Sequence, residues 1–206
     1  MVEPVILPFS DFQPTHIRAN DVLALIGSTA FIQVARYSNW RAGRCYQNVM
    51  QCVRLEGGQI VPEWMIELVD GVYIQAMHHA LWRKPSGIII DITAPQTRHD
   101  AGRGVTTFIE DHSIIVDYDN PIPIQNRHIQ LVEDGDVAGA LNAYRQHDAA
   151  RRALMQMIEN DRRYTRTRDG FSGPPHSVTY PELSAEIDRS YKDLHGFNQK
   201  ILDRYF

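Results

Sequence analysis

Residues 59–92 constrain this chain more than any other stretch, because they read as three strands joined by two tight turns. Gln59–Val69 and residues 72–83 flank Asp70-Gly71, a dipeptide suited to the left-handed dihedrals of a two-residue hairpin. Lys84-Pro85-Ser86-Gly87 makes a second turn before Gly87-Ile88-Ile89-Ile90-Asp91-Ile92, an apolar run that reads as a buried strand. A sheet built this way needs a cover for one face, and the preceding segment supplies it. Residues 45–55 carry Val49, Cys52, Val53 and Leu55 with few breakers and end at Gly57-Gly58, so they read as a helix with a glycine stop.

The flanks are read less sharply. Residues 1–20 form an extended lead-in broken by Pro4, Pro8 and Pro14, after which Asn20-Asp21 offers an N-cap for a helix from Val22. Residues 37–43 are rich in turn formers and read as a loop. Residues 105–109 and 113–118 suggest another hairpin, and residues 96–104 a polar surface loop. Beyond Pro121 and Pro123 the pattern turns helical. Residues 136–164 make one long helix or two, residues 169–175 break it, and Pro181 opens a terminal helix with Leu183, Ile187, Tyr191, Leu194, Ile201 and Tyr205 on one face. Helix, sheet, then helices is the order of an α+β fold. The expected division is 1–125 for a core with its lead-in and 126–206 for a helical section packed on it.

Composition excludes several classes. With 43% hydrophobic residues and 9% aromatic, the 206-residue chain has the material for a core and is not disordered throughout. A net charge of −4 gives no basic excess, so no nucleic-acid partner is expected. The arginines between 151 and 168 alternate with acids and read as a solvated face. No run is apolar and long enough to span a bilayer, and Met1-Val2-Glu3-Pro4 does not resemble a secretion signal. A cytoplasmic protein without a membrane partner is therefore expected, with signal-less export left open. Two cysteines cannot make a disulfide framework.

One constellation carries chemistry. Cys45 follows a glycine-bearing loop and opens a helix, where partial positive charge and free backbone N–H groups favour a thiolate and can hold an oxyanion. His78 and His79 lie on one strand and Asp91 on the next. A histidine takes the thiol proton and returns it to a leaving group, and a carboxylate fixes its tautomer. Strand register decides which histidine serves. Across the second turn, pairs with an even index sum put His79 on the face of Asp91, and an odd sum puts His78 there. Cys52 reads as core. A zinc site from Cys45, Cys52, His78 and His79 is disfavoured, because adjacent strand residues point to opposite sides and neither CxxC nor HExxH is present. No metal or cofactor is expected.

Arg41-Ala42-Gly43-Arg44-Cys45-Tyr46-Gln47-Asn48, with His79-Ala80-Leu81-Trp82 and Asp91-Ile92-Thr93, resembles the transglutaminase-like branch of the papain-like cysteine enzymes. The cysteine segment is also similar to that of arylamine N-acetyltransferases. The likeness covers residues 38–95. Tryptophan stands one place later than in the family's His-Ala-Trp, and Ile92 replaces the proline of Asp-Pro-Thr. The resemblance implies a papain-like domain with a nucleophile helix packed on an antiparallel sheet. It also implies a triad of Cys45, His79 and Asp91, with His78 in reserve. The Cys45 backbone N–H is the first oxyanion donor, and Gln47, Asn48 or Trp40 are candidates for a second. The expected activity is acyl transfer through a thioester: hydrolysis of an amide, as in a peptidase or glutamine deamidase, or transamidation. The substrate would be a protein or a small amide. A catalytically inactive binding module and a helical interaction protein are the alternatives, and the terminal helices are a candidate surface for a second copy of the chain.

Overall fold

A computed structural model describes residues 5–95, 104–111, 116, 124–167 and 170–206. The fold is α+β, with a sheet followed by C-terminal helices. It divides into two compact units: Ile6–Tyr118 with Arg127–Val132, and Met1–Val5 with Asp119–Asn126 and Glu133–Phe206. The division is thus not a single cut near residue 125, because the chain returns to the sheet for one more strand. Among the described residues no helix is long and apolar enough to cross a membrane.

In the first unit the elements run β1 (Phe9–Asp11), α1 (Ala19–Ile26), β2 (Ile32–Trp40), α2 (Cys45–Glu56), β3 (Gln59–Val69), β4 (Tyr73–Arg83), β5 (Ile89–Thr93), β6 (Gly104–Glu110) and β7 (Arg127–Gln130). Five of the strands close on themselves. β3 pairs with β6, β6 with β2, β2 with β5, β5 with β4, and β4 with β3 again. β1 and β7 extend the ring from β3 and β4. Side chains alternate across each strand. Val34, Met65, Leu81 and Phe108, with Ile32, Val61, Met77 and Ile89, fill the inside. On the outside, α2 lays Val49 and Cys52 against Ala80, Trp82, Ile90 and Ile92.

Several readings are corrected. The sheet is mixed rather than antiparallel, since β2 and β5 run parallel. They are separated by α2, β3 and β4, a connection long enough to bring the chain back in the same direction. Residues 37–40 belong to β2 and not to a loop, because the strand, paired on both edges up to Arg36, runs through an irregularity to pair Trp40 with Thr93 of β5. Helix α1 begins at Ala19 after Arg18, so Asn20-Asp21 lies inside its first turn. The hairpin turn takes in Val72 as well as Asp70-Gly71, with Val72 N–H bonded to the Val69 carbonyl and Val69 paired with Tyr73. β6 pairs with β2 and β3. Residues 96–103, and the 113–118 half of the second suggested hairpin apart from residue 116, lie outside the described residues.

Pro62 is tolerated inside β3 because it sits beyond the end of the β6 ladder, which begins at Glu63, so no partner strand misses its N–H. Helix α2 stops as its glycines direct. Gly58 has φ +91°, and a Cβ there would meet the Arg83 carbonyl oxygen at 2.2 Å. Beside it, the Trp82 indole N–H donates to the Gly57 carbonyl at 2.9 Å.

The second unit is built on α3 (Gly135–Glu159) and a later helix of equal length. The chain after α3 makes the hairpin β8 (Thr165–Thr167) and β9 (Gly170–Ser172), a short α4 (His176–Thr179), and then α5 (Pro181–Tyr205). The expected helix to residue 164 therefore ends earlier, with a turn at Asp161–Tyr164 before β8. Asp134 caps α3, accepting from the Asp136 and Val137 N–H groups. Arg204 and Tyr205 bond Asp134 from the far end of α5, while Tyr180 at its start bonds Asp161 past the end of α3. The two long helices are therefore antiparallel. The buried line of α5 is Ser190, Leu194, Asn198 and Ile201, and Tyr191 is exposed.

Two glycines separate crowding from dihedral strain. Gly27 has φ +83° with nothing near a Cβ, so Gly27→Ala should cost about 1–2 kcal/mol for the left-handed dihedral alone. Gly58→Ala adds a collision with backbone and should cost about 3 kcal/mol or more. Urea unfolding midpoints of the two variants test this, and equal costs would contradict the crowding argument.

Candidate active site

The β4–β5 ladder holds for two pairs, Trp82 with Ile90 and Arg83 with Ile89. These are even index sums, so His79 and Asp91 lie on the same inner face. His79 Nε2 donates to Asp91 Oδ1 at 3.0 Å. Asp91 is 2% exposed, and its Oδ1 also accepts the Thr93 backbone N–H at 3.0 Å. The carboxylate is thereby fixed before it fixes the imidazole.

Beyond Trp82 and Ile90 no further pair is made. The Lys84 N–H bonds the Ile88 carbonyl across the turn, so every second N–H of β4, including that of Ala80, faces the β5 side. At Ala80 there is no β5 partner. Helix α2 starts at this opening. The Cys45 sulfur lies beside the Ala80 N–H and the His79 imidazole, both of which favour its charged form. With Nε2 held by Asp91, Nδ1 is the ring nitrogen that faces the thiol. The three sequence-assigned triad residues are thus one connected relay, and Cys45 remains partly exposed.

The electrostatics of the relay are consistent with an ion pair. Burial pushes the Cys45 thiol up, but the imidazole beside it and the Ala80 N–H outweigh this, and it ends below its usual value. Burial pushes His79 down, but the Asp91 carboxylate and the sulfur hold it well above the usual imidazole range. The start of α2 adds to this. No side chain caps it and no acid stands in its first turn, so its free N–H groups stay available to a thiolate or an oxyanion. Helix α3, capped by an acid, lacks this property.

The other assigned residues separate. Asn48 is buried, and its amide donates to the Arg41 carbonyl at 2.8 Å and to Thr93 Oγ1 at 3.1 Å. Both its donors are spent tying the loop before α2 to the end of β5, so Asn48 is a brace and not an oxyanion donor. Trp40 packs against the cluster under α2 that also includes Cys45. Gln47 is exposed on the first turn of α2. His78 faces the outside of the ring and touches Tyr46 and Trp64. Burial brings it down to about 4 despite the opposing Asp111 carboxylate, which leaves it a weak base that holds no proton on the thiol's behalf at neutral pH. Cys52 is 2% exposed in the core, and burial raises its thiol.

Sequence reasoning missed the Ala80 N–H, Thr93 and Glu63. Glu63 lies directly opposite His79 in the β3–β4 ladder and is 1% exposed, with Oε2 lacking a hydrogen-bond partner among the described residues. Its position in the alternation was readable: an acid between Val61 and Met65, on the inner face. No family model, no curated protein and no solved structure matches this chain.

Burial, with Glu110 and Asp111 adding and Arg83 opposing, raises the Glu63 carboxyl to about 8 from 4.5. Between these two values the folded chain keeps a proton that the unfolded chain has lost. Stability therefore falls as pH rises through this window and levels off above about 8. Glu63→Gln removes the contribution, so its urea midpoint should fall less than that of the wild type between pH 5 and pH 8.5. Parallel curves would show that the acid titrates normally.

Proposed function

We propose that the chain is a papain-like, cysteine-dependent acyl-transfer enzyme. Cys45 is the nucleophile, His79 the general acid and base, and Asp91 the residue that orients the imidazole. What carries the reading is the connected relay of thiol, imidazole and buried carboxylate at the uncapped mouth of a helix. A buried structural cysteine needs none of these partners, and Cys52, two turns along the same helix, lacks them.

The steps follow from the charges. The thiolate attacks an amide carbonyl carbon, forming a C–S bond while the carbonyl π electrons move to oxygen. That oxyanion lies near the first N–H groups of α2, beginning with that of Cys45. The tetrahedral adduct collapses, the C–N bond breaks, and His79 gives its Nδ1 proton to the departing nitrogen, leaving a thioester. His79, now neutral, takes a proton from the incoming water or amine, whose attack displaces the thiolate. Asp91 holds the imidazole throughout and stabilises its charged form without taking its proton. Water as acceptor gives amide hydrolysis, and an amine gives transamidation. Gln47, exposed on the first turn of α2, is the side chain we assign as the second oxyanion donor.

Labelling with iodoacetamide, followed by intact mass between pH 5 and 9, tests the assignment. The wild type should take one label, at Cys45, with a midpoint well below the ~8.5 of a free thiol. His79→Ala should slow labelling at pH 6 by tenfold or more, since about one tenfold step follows each pKa unit lost. Equal, slow labelling of both proteins would overturn the assignment and leave a binding module.

A further inference from the structure

A second link joins α2 to β4 one residue away from the first. The Tyr46 hydroxyl is hydrogen-bonded to Nδ1 of His78, and the two rings lie nearly parallel, 11° apart with centroids at 6.0 Å. His78 is fixed on its other side too. Its ring stands edge-on to Trp64 at 5.1 Å and 87°, and Trp64 is itself held by an indole N–H bond to Asp111 and by the Arg127 guanidinium 4.7 Å over its face. Burial lowers His78 to about 4, Asp111 opposes, and His79 and Arg127 push the same way as burial, so at neutral pH the ring is uncharged and carries one N–H. Its Nε2 is buried without a hydrogen-bond partner among the described residues. An unsatisfied buried polar atom lowers stability, so this ring is poorly explained as a device for folding.

We infer that Tyr46 and His78 are positioning residues, whose link sets the start of α2 against β4 and thereby the approach of the Cys45 sulfur to the His79 imidazole. The inference rests on the nucleophile reading above. The start of α2 has no side-chain cap. Asn48 ties its preceding loop to β5, and the Tyr46–His78 link ties its first turn to β4. One residue of slippage there, about 1.5 Å along the axis, is enough to break the relay. The consecutive histidines of β4 then divide the work. The outward one, kept neutral, anchors the helix, and the inward one, kept charged, activates the sulfur.

The test is the iodoacetamide pH profile of full-length wild type, Tyr46→Phe, His78→Phe and the double variant, with far-UV circular dichroism and thermal midpoints for each. Either single change should slow Cys45 labelling at pH 6.5 about tenfold and move its midpoint toward ~8.5. The double variant should be no slower than the slower single, because the two groups act as one unit. Wild-type labelling in Tyr46→Phe, or single effects that multiply in the double variant, would overturn the inference. A wild type whose own midpoint is near 8.5 would instead overturn the nucleophile reading. If His78→Phe does not fold, Tyr46→Phe, which removes one oxygen from a partly exposed side chain, decides alone.

Discussion

A backbone N–H with no strand to bond is the pivot of the site. Two paired residues hold β4 to β5, and past them the strands part and leave the Ala80 N–H facing outward. An unmet buried amide costs about 1–3 kcal/mol, and here the Cys45 sulfur stands beside it. The same opening lets the start of α2, which packs outside the ring, reach a histidine that faces inside it. A complete ladder would have sealed His79 from the thiol. Sheet geometry and chemistry are thus one design: the interruption both admits the sulfur and sets an N–H beside it.

The polar interior shows what this arrangement demands of the fold. His79 stands over Phe108 and opposite Glu63, and further along the same inner face Glu67 accepts from Gln75 while Arg36 bonds Asp11 at 2.7 Å. Burial raises Glu67 to about 7, although His79, Arg36 and the Gln75 amide oppose the shift. Charged and half-charged groups replace much of the apolar filling a small barrel ordinarily uses. Hydrophobic packing inside the ring includes a layer around Met65, Leu81 and Phe108, and outside it the seam under α2. That seam holds Val49 and Cys52 against the outer faces of β4 and β5, so the apolar contacts steady the helix that the relay uses.

Much of this was legible in the sequence, and the gaps have physical causes. The helix from Cys45 to its glycine stop, both long strands and the order Cys, His, Asp followed from local chemistry. The even register that selects His79 was stated as a condition, and Trp82 opposite Ile90 meets it. One residue of turn length was missed at the other hairpin. Taking Asp70-Gly71 as the whole loop pairs Val69 with Val72 and sets Glu63 against His78. Including Val72 in the turn pairs Val69 with Tyr73 and moves Glu63 opposite His79. Val72 is apolar and fully buried, so nothing in its own chemistry marked it as a turn residue. β2 was hidden for a different reason. Its second half is written in turn formers, and its strand character comes from the first half's pairing with β5 and β6 and from Trp40 opposite Thr93, partners that lie far away in sequence. Asn48 could not be told from an oxyanion donor because its partners, Arg41 and Thr93, meet only in the folded chain.

Closure of the strand ring has a temporal side. The β3–β4 hairpin is local and cheap in loop entropy, whereas the parallel β2–β5 contact joins residues more than fifty positions apart and can form only once the intervening chain is in place. His79 and Asp91 both sit on local hairpins, while Cys45 is brought to them only when α2 packs against β4 and β5. A nascent or partly unfolded chain therefore carries a thiol of ordinary acidity, and the lowering of Cys45 belongs to the assembled fold and not to its own segment.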